Sequence, residues 1–260
     1  MNDMIPITGD VIDEATPWPA GVHQISAEEY HADPCCQPSL SSSIAAKLRP
    51  DMLDAPSAMK ARPIDHRGFY VPWFVSEKNC AGLWDFSVVT AERRDRALKS
   101  RLDWVTGEPL GRHMAFVIGP MCIINRIASD PPVRLETARW SARVCPFISR
   151  PLAKRPDPDR VGNTPGIPVS TNPGLCAIYV TSTISMHRGL IQLGNPSHIE
   201  WWTKGRRADP DETGMGFDAG SESLRALASD EGPGAIAHFE RLLSRARTDM
   251  QVAEDRLCAS

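Results

Sequence analysis

The clearest hydrophobic pattern lies near the C-terminus. Apolar residues recur there at alternating spacings of three and four over about five turns or more, which predicts a long amphipathic helix. An isolated helix of this length is marginal in water, so its apolar stripe must pack on the body of the protein or on a partner. The stripe consists of Ile236, Phe239, Leu243, Ala246, Met250, Ala253 and Leu257.

Two shorter helices are predicted in the middle of the chain, one after Thr90 and one after Pro131-Pro132. Thr90 can accept a hydrogen bond from a backbone amide at the start of a helix. Apolar residues then recur at helical spacings in both segments. They are Ala97, Leu98 and Leu102 in the first helix and Leu135, Ala138, Ala142 and Cys145 in the second.

Strand composition marks several segments between these helices. Residues 68–75 indicate an edge strand, residues 114–127 two short strands meeting at Gly119-Pro120, and residues 175–184 a strand that can form a hairpin with residues 190–193. Asn195-Pro196 favours a short helix carrying Ile199 and Trp202. The sequence therefore predicts an α+β fold, with a mixed or antiparallel central sheet, flanking helices and a long C-terminal amphipathic helix.

The same patterns divide the chain into four parts. Residues 1–22 lack sustained periodicity and are predicted to be a disordered lead-in, and residues 23–62 a helical N-terminal segment. Residues 63–207 form the predicted α+β core. Residues 208–260 are predicted to be an acidic loop followed by the C-terminal helix.

The net charge of −3 is unevenly distributed along the chain. Residues 1–60 and 208–260 carry an excess of acids, whereas residues 93–160 hold fourteen Lys or Arg against seven Asp or Glu. A basic centre is typical of a surface that meets a polyanion, although acidic ends folding back onto a basic body would need no partner.

Eight cations on the two central helices are the candidate contacts for the phosphates of DNA or RNA. A helix can present several cations to a phosphate backbone, and Trp104 and Trp140 are close enough in sequence to offer stacking to bases. The candidates are Arg93, Arg94, Arg96, Lys99 and Arg101 on the first helix, and Arg134, Arg139 and Arg143 on the second.

The seven cysteines and the N-terminus indicate a reducing compartment. An odd number of scattered cysteines is unlike a disulfide framework, and the first ten residues lack the basic and apolar regions of a signal peptide. No apolar run approaches the ~20 residues that span a bilayer. We therefore expect a cytoplasmic protein without a membrane partner.

The weak metal candidates are Cys122, Cys145 and His113, since thiolate and imidazole groups suit zinc. Zinc-binding sequences typically contain two close pairs of ligands, and this chain has neither Cys-x-x-Cys nor His-x-x-x-His. Buried free thiols are the simpler interpretation, so the sequence predicts no cofactor, with zinc as the one alternative.

Two segments carry resemblances to phage proteins. The string Gly21-Val22-His23-Gln24-Ile25-Ser26, followed by Pro38-Ser39-Leu40, belongs to residues 21–62, which resemble the N-terminal segment of RecE-like phage exonucleases of the PD-(D/E)XK type. The catalytic core of that family needs an acidic residue two positions before a Lys, beside a divalent metal. No Lys here has one, so the nuclease activity is not expected to carry over.

The second resemblance covers residues 104–147, which are similar to a group of uncharacterised phage and prophage proteins. It is carried by Trp104-Val105-Thr106-Gly107, Ala115-Phe116-Val117-Ile118-Gly119-Pro120 and Cys145-Pro146-Phe147. In the pattern of that group, a Cys-x-x-Cys precedes the glycine and a His and a Cys follow the double proline. The resemblance places Asp103, Thr106, Arg134 and Thr137 at those positions here.

These observations predict a protein of phage or prophage type, without catalytic activity, that associates with nucleic acid or with a phage or host protein of replication or recombination. Two alternatives remain open. One is an unrecognised hydrolase or nuclease, and the other is a protein-interaction adaptor that uses the apolar stripe of the C-terminal helix.

Overall fold

The computed structural model of the protein describes residues 48–79, 81–86, 89–149, 174–187 and 189–258, with side chains described as far as Gln251. The predicted lead-in (1–22) and most of the predicted N-terminal helical segment (23–62) lie outside these residues, as does most of the segment resembling the phage exonucleases.

The described strands form two antiparallel sheets. One has four strands in the order β1-β3-β6-β7, and the other has three in the order β2-β5-β4. In chain order the strands are β1 (Met114–Ile118), β2 (Ile127–Ala128), β3 (Cys176–Thr181), β4 (Ile184–His187), β5 (Leu190–Leu193), β6 (His198–Thr203) and β7 (Arg206–Arg207).

Helices surround the four-stranded sheet on both faces. A 3-10 turn at Pro50–Met52 precedes the first of them. The described α-helices are α1 (Ser57–Lys60), α2 (Ala91–Lys99), α3 (Pro120–Asn125), α4 (Leu135–Val144), α5 (Pro210–Glu231) and α6 (Pro233–Cys258).

The alternation of side chains along β1, β3 and β6 separates two apolar clusters. On one face, Phe116, Tyr179 and Trp201 pack with residues of α3, α5 and α6. On the other face, Ile178 and Val180 pack with α4 and α2. Because both faces are covered, every residue of β3 is buried. A third cluster packs residues 52–70 on the outer side of α4.

The α+β prediction is confirmed, and the described sheets are antiparallel. The helix after Thr90 is confirmed, with the Thr90 hydroxyl accepting a hydrogen bond from the amide of Arg93. The helix after the double proline, the strand at residues 176–181, the β4–β5 hairpin and the long C-terminal helix are also confirmed.

Four local predictions were wrong. The expected acidic loop after residue 208 is instead helix α5, which starts at Pro210 because Asp209 and Glu212 form a reciprocal capping box. Gly119-Pro120 starts helix α3 and does not join two strands, as proline suits the first turn.

The helix expected after Asn195-Pro196 is strand β6, whose alternate residues face opposite sides of the sheet. The predicted edge strand at residues 68–75 is represented only by an isolated bridge between Ile64 and Tyr70. Among the described residues, none of the helices combines the length and the apolar character needed to cross a membrane.

Candidate nucleic-acid interface

The fold divides the eight candidate cations into groups with different surroundings. The three arginines of α4, counting Arg134 at its N-cap, each meet a carboxylate. The five cations of α2 and its C-terminal end meet backbone carbonyls, an aromatic ring or solvent, apart from one exposed pair between Lys99 and Asp95 at 3.7 Å. The two groups therefore do not form one uniformly open basic face.

Each arginine of α4 forms an ion pair with a carboxylate from another part of the chain. Arg134 contacts Glu108 at 2.6 Å, and Arg143 contacts Asp54 at 2.6 Å. Arg139 binds both oxygens of Glu200, with Nε at 3.0 and 3.2 Å. The charges of these three arginines are therefore compensated within the protein, and their role as phosphate contacts stays a prediction.

Glu200 is the most extensively bonded carboxylate of this face. Only 2% of its side chain is exposed, and it also accepts from the Trp202 indole at 3.2 Å, contacts His198 at 2.7 Å and pairs with Arg207. Burial alone would raise the pKa of Glu200, but hydrogen bonds from Arg139 and His198, the charge of Arg207 and the Trp202 N–H together lower that pKa to about 2. This cluster joins α4, β6 and β7, so its role is to stabilise the fold.

Arg94 is the inward-facing member of the α2 group. It donates to the carbonyl oxygens of Ser129 (3.0 Å) and Gly189 (2.7 Å), so it connects α2 to the loops of the three-stranded sheet. Burial lowers the pKa of its guanidinium, although nearby Asp130 and Asp95 oppose that shift. Arg94 has a structural role and is not a surface contact.

Arg93 and Arg96 lie over the indole of Trp73. Their guanidinium carbons are 4.7 and 5.9 Å from the ring centroid, and among the described residues neither forms a salt bridge within 4.0 Å. Burial lowers the pKa of nearby Arg62, and the charge of Arg93 lowers it further. The region around Trp73 is therefore locally positive.

A cleft of about 550 Å³ lies between the segment before β1 and the start of α4. One wall is the segment before β1, and the other is the first turn of α4. Arg101 reaches this cleft by donating to the carbonyl of Gly111 at 3.1 Å. The lining residues are Pro109, Leu110, Gly111, Arg112, His113, Arg134, Leu135 and Glu136.

Asp103, which is fully buried, holds the two walls of the cleft together. One carboxylate oxygen accepts from the amides of Val105 and Thr106, each at 2.9 Å, and the other accepts from the amide of Arg134 at 2.8 Å. Positions 103, 106 and 134 are thus neighbours. Thr137, the fourth position that the resemblance singles out, is also buried, and its hydroxyl has no hydrogen-bond partner among the described residues.

The two tryptophans that the sequence analysis offered for stacking on bases are buried. Trp104 is 5% and Trp140 is 7% exposed, and both belong to apolar clusters. Trp73, which the sequence analysis did not single out, is the ring over which Arg93 and Arg96 lie. A Cβ on Gly107 would stand 2.3 Å from its Cδ1, so one part of that ring is covered by backbone.

The three weak zinc candidates lie in different surroundings. His113 is exposed in the cleft lining, Cys122 lies in α3 against the core, and Cys145 caps the end of α4. Burial raises the pKa of the Cys145 thiol and, with the charge of Cys145, raises that of Cys176 to about 12. Within the described ranges, no group of three or more His, Cys, Asp or Glu residues is placed to hold a metal ion.

Comparisons with known proteins add no relative. The chain matches no protein-family model, and comparison with curated proteins and with solved structures likewise finds no match.

Proposed function

We propose that the protein associates with nucleic acid through four arginines that the fold leaves without a carboxylate partner. These are Arg93 and Arg96 beside Trp73, and Arg101 and Arg112 at the cleft. The observation that carries the proposal is that none of the four forms a salt bridge among the described residues, while every arginine of α4 forms one. Unpaired guanidinium groups can exchange their counterions for phosphates.

One continuous segment supports treating the four arginines as a single surface. Trp73 packs on Gly107, and its amide donates to the carbonyl of Val105 at 2.6 Å. The same segment continues to the cleft wall, where the amide of Leu110 donates to the carbonyl of Arg101 at 2.7 Å. Residues 101–113 thus contact Trp73, which lies under Arg93 and Arg96, and include Arg101 and Arg112 themselves. We call the four arginines the α2 surface.

The proposal includes the cellular compartment and the type of protein. We place the protein in the cytosol because its seven scattered cysteines are unlike a disulfide framework and Cys145 and Cys176 are free thiols, as expected in a reducing compartment. The phage or prophage type and the non-catalytic role are proposed on the two sequence resemblances alone.

The adaptor alternative is less well supported by the C-terminal helix. Phe239, Leu243 and Ala246 of its apolar stripe are at most 3% exposed and belong to the main core. The described part of that stripe is therefore occupied by the protein itself and is not a free surface for a partner.

The proposal is tested by fluorescence anisotropy with labelled single-stranded and duplex DNA and RNA at about 50 mM salt. We compare the wild type with two charge-removing variants of the α2 surface, R93Q/R96Q and R101Q/R112Q. The matched control is R241Q/R247Q, which removes two exposed charges from α6.

We expect each α2-surface variant to weaken binding by about tenfold or more, and the control to change it by less than about threefold. All variants should retain the unfolding temperature of the wild type, because the substituted side chains are exposed or half-buried. Absence of wild-type binding at low salt, or equal losses in the control, would overturn the proposal.

A further inference from the structure

The cleft next to the α2 surface differs from a simple phosphate-binding patch. Its lining combines apolar side chains (Pro109, Leu110 and Leu135) with polar groups on its edges. It has a volume of about 550 Å³ and is a shallow depression, widely open to solvent. A phosphate group alone would gain nothing from the apolar lining, so the occupant needs an apolar face as well as charge.

The charges of the cleft are arranged asymmetrically. Arg134 is fixed by Glu108 and by two hydrogen bonds to the carbonyl of Pro109, at 3.0 and 2.7 Å, so its charge is already compensated. Arg112 and Arg101 remain available near Gly111. Glu136, whose side chain is 68% exposed, brings a carboxylate to the α4 side of the cleft. An anionic group is therefore favoured at the Gly111 side.

From this arrangement we propose that the cleft holds one unpaired nucleotide of a single strand. The proposal rests on the proposed function and specifies its ligand. The phosphate lies towards Arg101 and Arg112, the base lies on Leu110 and Leu135, and Glu136 can accept a hydrogen bond from a base amino group, as acidic side chains do from cytosine. A base must leave its stack before it can lie on Leu110 and Leu135, so the cleft favours single strands.

A second, smaller cleft on α4 provides the contrast. It has a volume of about 280 Å³ and is lined by Asp54, Pro56, Glu136, Arg139, Trp140 and Arg143. Both of its arginines are paired, with Glu200 and Asp54 respectively. Because it has no uncompensated cation, this smaller cleft attracts a phosphate less strongly. We therefore assign the nucleotide to the larger cleft.

A side chain can be added at Gly111 of the cleft without meeting other atoms of the protein. Gly111 belongs to the lining, and a Cβ built on it would have no atom within 4 Å. Substitution G111L places an isobutyl group in this open space and retains all four arginines of the α2 surface. The matched control is G214L, because Gly214 in α5 is exposed and also has open space around it.

The test measures binding of a labelled single-stranded oligonucleotide and of its duplex by anisotropy. We expect the wild type to bind the single strand about tenfold more tightly than the duplex, and G111L to lose most of that preference. G214L should behave like the wild type. Equal wild-type affinity for both forms, or an unaltered preference in G111L, overturns the inference but leaves the proposed function standing.

A second measurement uses the wild type alone and does not depend on the folding of a variant. Nucleoside 5′-monophosphates at millimolar concentration should compete with the single-stranded probe, whereas inorganic phosphate at equal ionic strength should not. Equal competition by both contradicts a site for the base. If no nucleic acid binds the wild type at low salt, the proposed function itself fails, which is a distinguishable result.

Discussion

Glu200 shows how a single residue determines which cations remain available. It occupies a position of β6 that faces α4, and the register places it opposite Ile178 of β3. Because a buried carboxylate needs compensation, it attracts Arg139 and Arg207 and removes them from the set of free cations. The sequence analysis did not identify Glu200, although its place between Ile199 and Trp201 shows the alternation of a half-polar strand.

The lowered pKa of Glu200 predicts a pH-dependent contribution to stability. The folded pKa of about 2 lies below the ordinary value of 4.5, so the ionised carboxylate stabilises the fold above about pH 4.5, and this contribution is lost as the pH falls towards 2. We expect E200Q to lower the free energy of unfolding at neutral pH by about 2–3 kcal/mol.

Urea denaturation of wild type and E200Q between about pH 7 and pH 3 checks this prediction, with E222Q at an exposed position as the control. The difference between wild type and E200Q should shrink as the pH falls below about 4.5. A difference that stays constant over the whole range would contradict the account of Glu200.

Helix α5 was the main element that the sequence analysis missed. Its acidic, proline-containing start suggested a loop, while the capping box formed by Asp209 and Glu212 is the signal for a helix start. Two glycines of α5 permit close packing. A Cβ on Gly216 would lie 2.6 Å from Leu175 Cδ2, and one on Gly220 would lie 2.7 Å from Pro120 Cβ, whereas Gly214 has open space.

These distances predict opposite effects for the same substitution within one helix. G214A should raise the free energy of unfolding by about 0.5–1 kcal/mol, because alanine restricts the unfolded chain and favours helix. G220A should lower it by about 1–3 kcal/mol, because the new methyl group overlaps Pro120 at the start of α3. Chemical denaturation of both variants measures the two changes. Equal effects at the two positions would show that α5 does not pack on α3 as described.

Helix α6 depends on a second type of contact, the ion pair between Arg126 and Asp249. The two side chains are 12% and 14% exposed, and Arg126 donates to both oxygens of Asp249, at 2.7–3.0 Å. Removing one member of such a pair leaves the other charge uncompensated. We expect D249N to cost about 3 kcal/mol of unfolding free energy.

The control for this pair is E240Q, which breaks the contact between Arg225 and Glu240 on the exposed sides of α5 and α6. Those side chains are 49% and 45% exposed, so its loss should cost less than about 1 kcal/mol. A similar cost for D249N and E240Q in chemical denaturation would indicate that Arg126 does not hold α6 in place.

For the whole molecule, the sequence identified more of the fold than of the site. Strong periodicity and clear caps predicted α2, α4, α6, β3 and the β4–β5 hairpin, because the signals for these elements are local. The helix predicted after Asn195-Pro196 was wrong. That dipeptide resembles a helix start, but pairing with β3 overrides the local preference and makes the segment strand β6.

The candidate interface was predicted only in part because pairing between charges is a property of the fold. Arg134 and Glu108 are 26 residues apart, and Arg139 and Glu200 are 61 apart. No local pattern indicates which arginine meets which carboxylate. The sequence could therefore mark the basic region, and Arg93, Arg96 and Arg101 within it, but it could not separate them from the compensated arginines or add Arg112.

The salt dependence of binding is the most direct test of the central claim that the four arginines of the α2 surface contact phosphates. For a single strand, the logarithm of the binding constant should fall with the logarithm of salt concentration with a slope of about −3, since each contact contributes about −0.7. The variant R93Q/R96Q/R101Q/R112Q should have a slope near zero. An equally steep slope in this variant, or a slope near zero in the wild type, would contradict the account.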